Sequence, residues 1–133
     1  MIVVDASVLA NVVGDDSTDG HLARRRLGDE IDVATPDLAD VETVAVLRRR
    51  CLAGHLTDQR FADGVAILIA LPLDRYPAAP FMRRAFELRA NVTAYDATYV
   101  ALAEHLECAV LTGDGRLATA PGIRCHIEVL TTK

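Results

Sequence analysis

The chain has 133 residues, 19 acidic side chains against 14 basic ones, a net charge of −5 and 51% apolar residues. One domain spanning residues 1–133 is expected at this length, large enough to bury a sizeable core. With a quarter of its residues charged, the composition is that of a globular chain and excludes disorder. Cys51, Cys108 and Cys125 are odd in number and lack CxxC spacing, which suggests neither a disulfide framework nor a zinc site and points to buried free thiols for at least two of them. The apolar run from Val65 to Leu73 is about half of the ~18–20 residues a membrane span needs. The start, MIVVD, has no basic n-region, so the expected compartment is the cytoplasm, with no membrane association. Thirteen of the basic residues are Arg, and the one Lys is Lys133 at the chain end. A catalytic lysine would have to be that last residue, and a P-loop is excluded for want of GK[ST].

In chain order, IVV at the start reads as a short strand, followed by a helix from Ser7. The polar segment GDDSTDG reads as a loop before a second helix through Leu27, and Asp32 to Thr35 as another strand. Pro36 stands where a helix begins, with Asp37 in the capping position. Leu38 to Ala90 reads as three helices, separated at Gly54–Asp58 and at Pro72–Pro80. A further helix runs from about Thr93 to Glu107, then a strand over Ala109–Leu111, a short helical turn in GDGRLATA and a last strand over Cys125–Leu130. Strands separated by helices imply an α/β fold with a parallel sheet and helices on both faces. In the segment VAILIAL, apolar residues fall on every face of the predicted helix. Core burial is the first explanation and a partner groove the second.

Most acids need no special role: Asp15, Asp16 and Asp19 belong to a polar loop, and Glu104 is placed on the outer face of its helix. Four are placed unusually. Asp5 ends the first strand, at the sheet edge where α/β proteins bind ligands, and reads equally as a helix cap, a job Ser7 could also do. Glu42 falls within a stripe of Leu38, Val41, Ala45 and Leu52, where an unpaired carboxylate costs several kcal/mol. The alternative for Glu42 is a contact with Arg49, two turns later on the same face. Asp96 borders a stripe of Tyr95, Tyr99, Leu102, Ala103 and Leu106, and also lies in a first helical turn, where the helix dipole favours an anion. Asp114 follows a strand in LTGDGRL, between Gly113 and Gly115, and reads either as a ligand or as a plain Asp-Gly turn. If all four share one sheet edge, their mutual repulsion, about 4 kcal/mol for a pair ~4 Å apart at an effective dielectric of 20, calls for protons or a divalent cation. Oxygen donors suit Mg²⁺ or Mn²⁺, and such a centre activates water and stabilises the pentavalent phosphate of nucleic-acid hydrolysis.

Four segments in order, IVVDASVL, PDLADVE, YDATYVALAE and LTGDGRL, resemble the PIN-domain ribonucleases, and most of all their VapC-type toxin branch. The resemblance extends over nearly the whole chain. It implies a PIN-like three-layer α/β/α sandwich with a small central parallel sheet, and a Mg²⁺-dependent endoribonuclease that forms a dimer and is occluded by a cognate VapB-type antitoxin. Residue by residue, it places the catalytic and metal-ligating acids at Asp5, Glu42, Asp96 and Asp114. Asp5 and Asp96 are most firmly tied to metal, and Ser7 and Thr112 support the carboxylates by hydrogen bonds. Arg116 stands where some PIN proteins carry a further acid, so one tightly held metal is expected, with a second only when RNA supplies phosphate oxygens. Arg116 and Arg49 are the candidate substrate contacts, Arg116 reading also as a solvated arginine. An acidic protein must gather positive charge locally to bind RNA. The available groups are Arg24–Arg26, Arg48–Arg50 and Arg83, Arg84 and Arg89, most of them expected to be solvated or salt-bridged. Two competing readings are a non-catalytic PIN-like interaction module, whose acidic pocket takes a partner's arginine, and a receiver-like domain. The second is disfavoured by the unpaired Asp5 and the missing lysine.

Overall fold

The computed structural model describes residues 1–131, so Lys133 lies outside the described residues. The chain forms β1 (Ile2–Val4), α1 (Ala6–Gly14), α2 (Thr18–Gly28), β2 (Val33–Pro36), α3 (Leu38–Leu52), α4 (Asp58–Ala70) and β3 (Asp74–Tyr76). It continues through a 3₁₀ turn (Ala79–Phe81), α5 (Met82–Glu87), α6 (Ala94–Leu106), β4 (Ala109–Thr112), a second 3₁₀ turn (Gly115–Thr119) and β5 (Ile127–Val129). The five strands are all parallel, in the order β3-β2-β1-β4-β5. The chain therefore winds outward from β1 to β3 and then crosses back to β4 on the other side of β1. That reversal puts the switch point of the sheet between β1 and β4, where the strand ends open a crevice.

Sheet and helices form the expected α/β/α layers. On one side α1 packs against α2, α3 and α4; on the other α6 lies across β1, β2 and β4, with α5 against it. The innermost strands are apolar on both faces, as a doubly covered parallel sheet requires: Ile2, Val3, Val4, Val110 and Leu111 are all buried. Residues Ala97 to Ala103 of α6 are buried without a break.

Several local expectations are corrected. β3 was not anticipated. Asp74-Arg75-Tyr76 is a three-residue, half-exposed edge strand with no apolar run of its own, and pairing with Ala34–Pro36 holds it in place. Arg75 anchors it further, through Asp40 at 2.8 Å and the Leu68 carbonyl at 2.9 Å. Pro36 ends β2 rather than opening α3. Asp37 does not cap that helix with its side chain, which accepts instead from the Ala78 N–H. The GDDSTDG loop is shorter than read because α2 already starts at Thr18. Gly20 there packs so closely on the Asp15 carbonyl that a Cβ would sit 1.7 Å from its oxygen.

The stripe read on α3 is also wrong. Val41 and Leu52 are 73% and 70% exposed, and the buried face is Ala39, Thr43 and Leu47, on a helix that packs against α1. Leu47 reaches the bare Cα of Gly14, where a Cβ would lie 2.5 Å from Leu47 Cδ2. On α6, Tyr95 is exposed rather than part of the buried stripe. Core burial does not account for all of VAILIAL: Leu68 is buried, but Ile67 and Ile69 face out. Glu104 is not on an outer face, since it pairs with Arg84 at 2.7 Å and accepts the Arg124 N–H at 2.8 Å. The three cysteines are free but only partly buried. No helix among the described residues is long and apolar enough to cross a membrane.

Candidate active site at the sheet switch point

Asp5 leaves the end of β1 and caps α1, its Oδ1 accepting the Val8 N–H at 3.2 Å. The backbone is pinned on both sides: Asp5 N donates to the Leu111 carbonyl of β4, and the Asp5 carbonyl accepts the first bond of α1, from Leu9. Asp5 is thus a helix cap, held at the carboxyl end of β1 beside the switch point. Ser7 Oγ donates to Asp5 Oδ1 at 2.6 Å, and Thr112 Oγ1 donates across the switch point to Oδ2. The two hydroxyls also order the next loop. Gly113 N donates to Ser7 Oγ and Asp114 N to Thr112 Oγ1, both at 3.0 Å. A Cβ on Gly113 would lie 3.2 Å from Ser7 Oγ, so the hydroxyl would have to give by a few tenths of an ångström.

Asp5 is 7% exposed, and burial pushes its carboxyl above the ordinary range, opposed by the Ser7 and Thr112 hydroxyls and the Val8 N–H. Glu42 comes from the first turns of α3 and meets α6, where the Tyr99 hydroxyl donates to its Oε1 at 2.8 Å. Its carboxyl is also pushed up, first by burial and then by the negative charges of Asp96 and Asp5, against the Tyr99 bond and the more distant Arg49. The alternative reading, a Glu42–Arg49 contact, is not met: the partner of Glu42 is the Tyr99 hydroxyl. Asp96 lies in the first turn of α6 but does not cap it, since Thr93 Oγ1 accepts the Asp96 N–H at 3.2 Å. Its carboxyl is held up by partial burial and then by the charges of Asp5 and Asp114. Asp114 differs. It caps the turn after β4 and is ion-paired with Arg116, whose side-chain hydrogen bond holds its carboxyl below the usual range.

Glu42 and Asp96, on two different helices, are therefore within electrostatic reach of Asp5 at the switch point, and Asp96 shares a cleft of about 230 Å³ with Thr93, Asp114 and Arg116. Larger hollows, such as the apolar one between α2 and α4, contain none of the four acids. Among the described residues, no group of three or more His, Cys, Asp or Glu side chains is already set to hold an ion, and Asp114 is turned onto Arg116. The donor chemistry nevertheless fits a hard divalent cation: it is all carboxylate oxygen, and the like charges of the cluster raise the Glu42 and Asp96 carboxyls.

Sequence reasoning missed Tyr99 as part of the site, having read it as core. It is both, 2% exposed with its hydroxyl on Glu42. Thr93 was missed as the cap, although Thr93-Ala-Tyr-Asp96 has the spacing of a capping box. Arg49 is exposed and its side chain makes no hydrogen bond or ion pair among the described residues, while most other arginines are engaged. Arg24 donates to the carbonyls of Asn11, Val12 and Asp15; Arg26 pairs with Glu30 and Glu128, Arg60 with Asp16 and Arg84 with Glu104; Arg50 donates to Asn11.

The PIN domain family matches residues 2–123 of this chain. Ribonuclease VapC1 of Mycobacterium tuberculosis is 37% identical over 129 residues, covering 96% of each chain. Ribonuclease VapC9 of the same organism is 40% identical over 134 residues, covering 98% of each. A chain of a toxin–antitoxin complex from Klebsiella pneumoniae superposes with a TM-score of 0.63 at 14% identity over 98% of both, a likeness of fold. A family match over nearly the full length, a parallel sheet that reverses beside Asp5, and carboxylates assembled at that reversal place this chain in the VapC group of PIN-domain proteins.

Proposed function

We propose that the protein is a Mg²⁺-dependent endoribonuclease, the toxin of a toxin–antitoxin pair, which hydrolyses RNA phosphodiester bonds at the switch-point acids. The observation that carries this reading is that Glu42 and Asp96, from two helices, both feel the negative charge of Asp5 at the end of β1, with Asp114 beside Asp96 in one cleft. The ribonuclease names of relatives 37–40% identical over nearly full length support it.

Asp5 and Asp96 would hold Mg²⁺ or Mn²⁺, with Glu42 and Asp114 completing the shell or orienting water. A bound cation would supply Lewis acidity toward the phosphate and lower the pKa of the attacking water. The chain's own contribution is positional. Ser7 and Thr112 fix the two oxygens of Asp5, and Tyr99 fixes Glu42, so the lone pairs left over point in set directions. Arg116 and Arg49 are the proposed phosphate contacts, both exposed and at or near the acids.

The same reading gives the protein a VapB-type antitoxin, a homodimeric assembly and a cytoplasmic setting. The Klebsiella chain of similar fold belongs to a toxin–antitoxin complex, and Ile67 and Ile69 leave apolar surface on α4 for a protein partner.

The test is RNA cleavage by purified, partner-free protein with Mg²⁺, with Mn²⁺ and with EDTA, beside Asp5→Ala. Discrete, metal-dependent products absent from the variant are expected. No cleavage of transfer, ribosomal or messenger RNA, with a melting temperature insensitive to Mg²⁺, would favour an interaction module whose acidic pocket binds a partner's arginine.

A further inference from the structure

Asp114 is the one site acid whose carboxyl lies below its ordinary range, and both of its oxygens are committed to one residue. Oδ1 accepts from Arg116 N at 3.0 Å and from Nε at 3.1 Å, and Oδ2 accepts from Nη2 at 3.0 Å. The Arg116 side chain is 92% exposed and that of Asp114 36%, so this fork lies in solvent, where ion pairs are easily broken. Its positive charge also reaches Asp96. Arg116 thus sits over the acidic cleft as a counterion supplied by the chain itself.

We propose that Arg116 is an exchangeable placeholder for the divalent cation, holding Asp114 by its guanidinium fork in the cation-free protein and releasing it when the cation binds. This rests on the metal-site reading above. A hard cation and a guanidinium cannot share both oxygens of Asp114 without bringing like charges together. The geometry makes exchange cheap for the fold. When the guanidinium leaves, the Arg116 N–H still donates to Oδ1, and the Asp114 N–H remains on Thr112 Oγ1. The carboxylate therefore keeps its backbone anchor after losing its counterion. Arg116 is a positioning residue in this step, acting on the cation through Asp114.

The experiment is Mn²⁺ binding to the intact chain, read by the electron paramagnetic resonance of free Mn²⁺. It compares the parent protein, Arg116→Gln, Asp114→Asn and the double variant. Arg116→Gln is expected to bind Mn²⁺ about two- to fivefold more tightly, the scale of an exposed ion pair. In the Asp114→Asn background the same substitution should add nothing. Equal affinity of Arg116→Gln and the parent would overturn the proposal. So would an undiminished gain in the Asp114→Asn background, which would make Arg116 a general repulsive charge. If the parent binds no Mn²⁺, the metal-site reading falls and the placeholder with it, an outcome distinct from the other two.

Discussion

The Tyr99 hydroxyl donates to Glu42 Oε1 at 2.8 Å, tying the buried helix α6 to the first turns of α3. The bond joins residues 57 positions apart, and it holds a half-buried carboxylate that Asp96 and Asp5 repel. Burial and the Glu42 charge raise the Tyr99 hydroxyl pKa well above its ordinary value, so it stays a donor across the accessible pH range.

Tyr99→Phe removes that donor and leaves the ring in place. A loss of about 1.5–3 kcal/mol in stability is expected in urea unfolding, the scale of a hydrogen bond to a charged group. The bond also lowers the Glu42 pKa, so without it the Glu42 carboxyl rises further and the acid limb of the cleavage–pH profile moves to higher pH. A profile superimposable on the parent's would show that Glu42 does not govern that limb.

Thr112→Val tests the bridge across the switch point. The side chain keeps its shape but loses the donor to Asp5 and the acceptor for Asp114 N–H, both at a fully buried position. The expected cost is about 1–3 kcal/mol of stability and roughly 10–100-fold in Mn²⁺ affinity. Thr112→Ser should restore most of both. Thermal melts with calorimetric titration decide it, and an unaffected Mn²⁺ affinity would remove Thr112 from the site.

Asp96→Asn should stabilise the metal-free protein while abolishing cleavage. The Asp96 carboxyl is held up by burial and by the charges of Asp5 and Asp114, so its ionised form opposes folding at neutral pH. After solvent screening the gain is about 2 °C in melting temperature in EDTA. Saturating Mg²⁺ should reverse the order of the two melting temperatures. A lower melting point for the variant in EDTA would mean that the Asp96 charge supports the fold as an ordinary acid of the first helical turn.

The pH dependence of Mg²⁺ stabilisation follows from the same carboxyls. Asp5, Glu42 and Asp96 have folded pKa values above their unfolded ones, chiefly through burial. Their unfavourable contribution is present when they are ionised and disappears as the pH falls below the unfolded values. A cation favours the ionised forms and competes with protons for them. The rise in melting temperature on adding Mg²⁺ should therefore be greatest near neutrality and decline as the pH falls through this raised carboxylate range. The carboxyls of Glu30, Glu104 and Glu128 are held low beside their arginine partners and lose their support at lower pH, a loss common to both arms of the comparison. A pH-independent increment would place the cation elsewhere.

The sequence by itself determined the class of fold and the strand-end positions of Asp5 and Asp114. Short β-branched runs ending in Asp or Thr, spaced by helical segments, can close only as a parallel sheet whose carboxyl ends share one edge, which brings Asp5 and Asp114 to that edge. The rest was set by contacts between segments that no local window contains. The buried face of α3 is Ala39, Thr43 and Leu47 because Leu47 fits against the bare Cα of Gly14 on α1, whereas apolar periodicity favoured Val41 and Leu52. The strand Asp74–Tyr76 exists through its neighbour β2 and the Arg75 anchor rather than through its own propensity. Tyr99 became a partner of Glu42, and Arg116 a partner of Asp114, because side-chain pairing depends on distance and direction in space. Residue spacing along a chain fixes which groups can meet; packing decides which of them do.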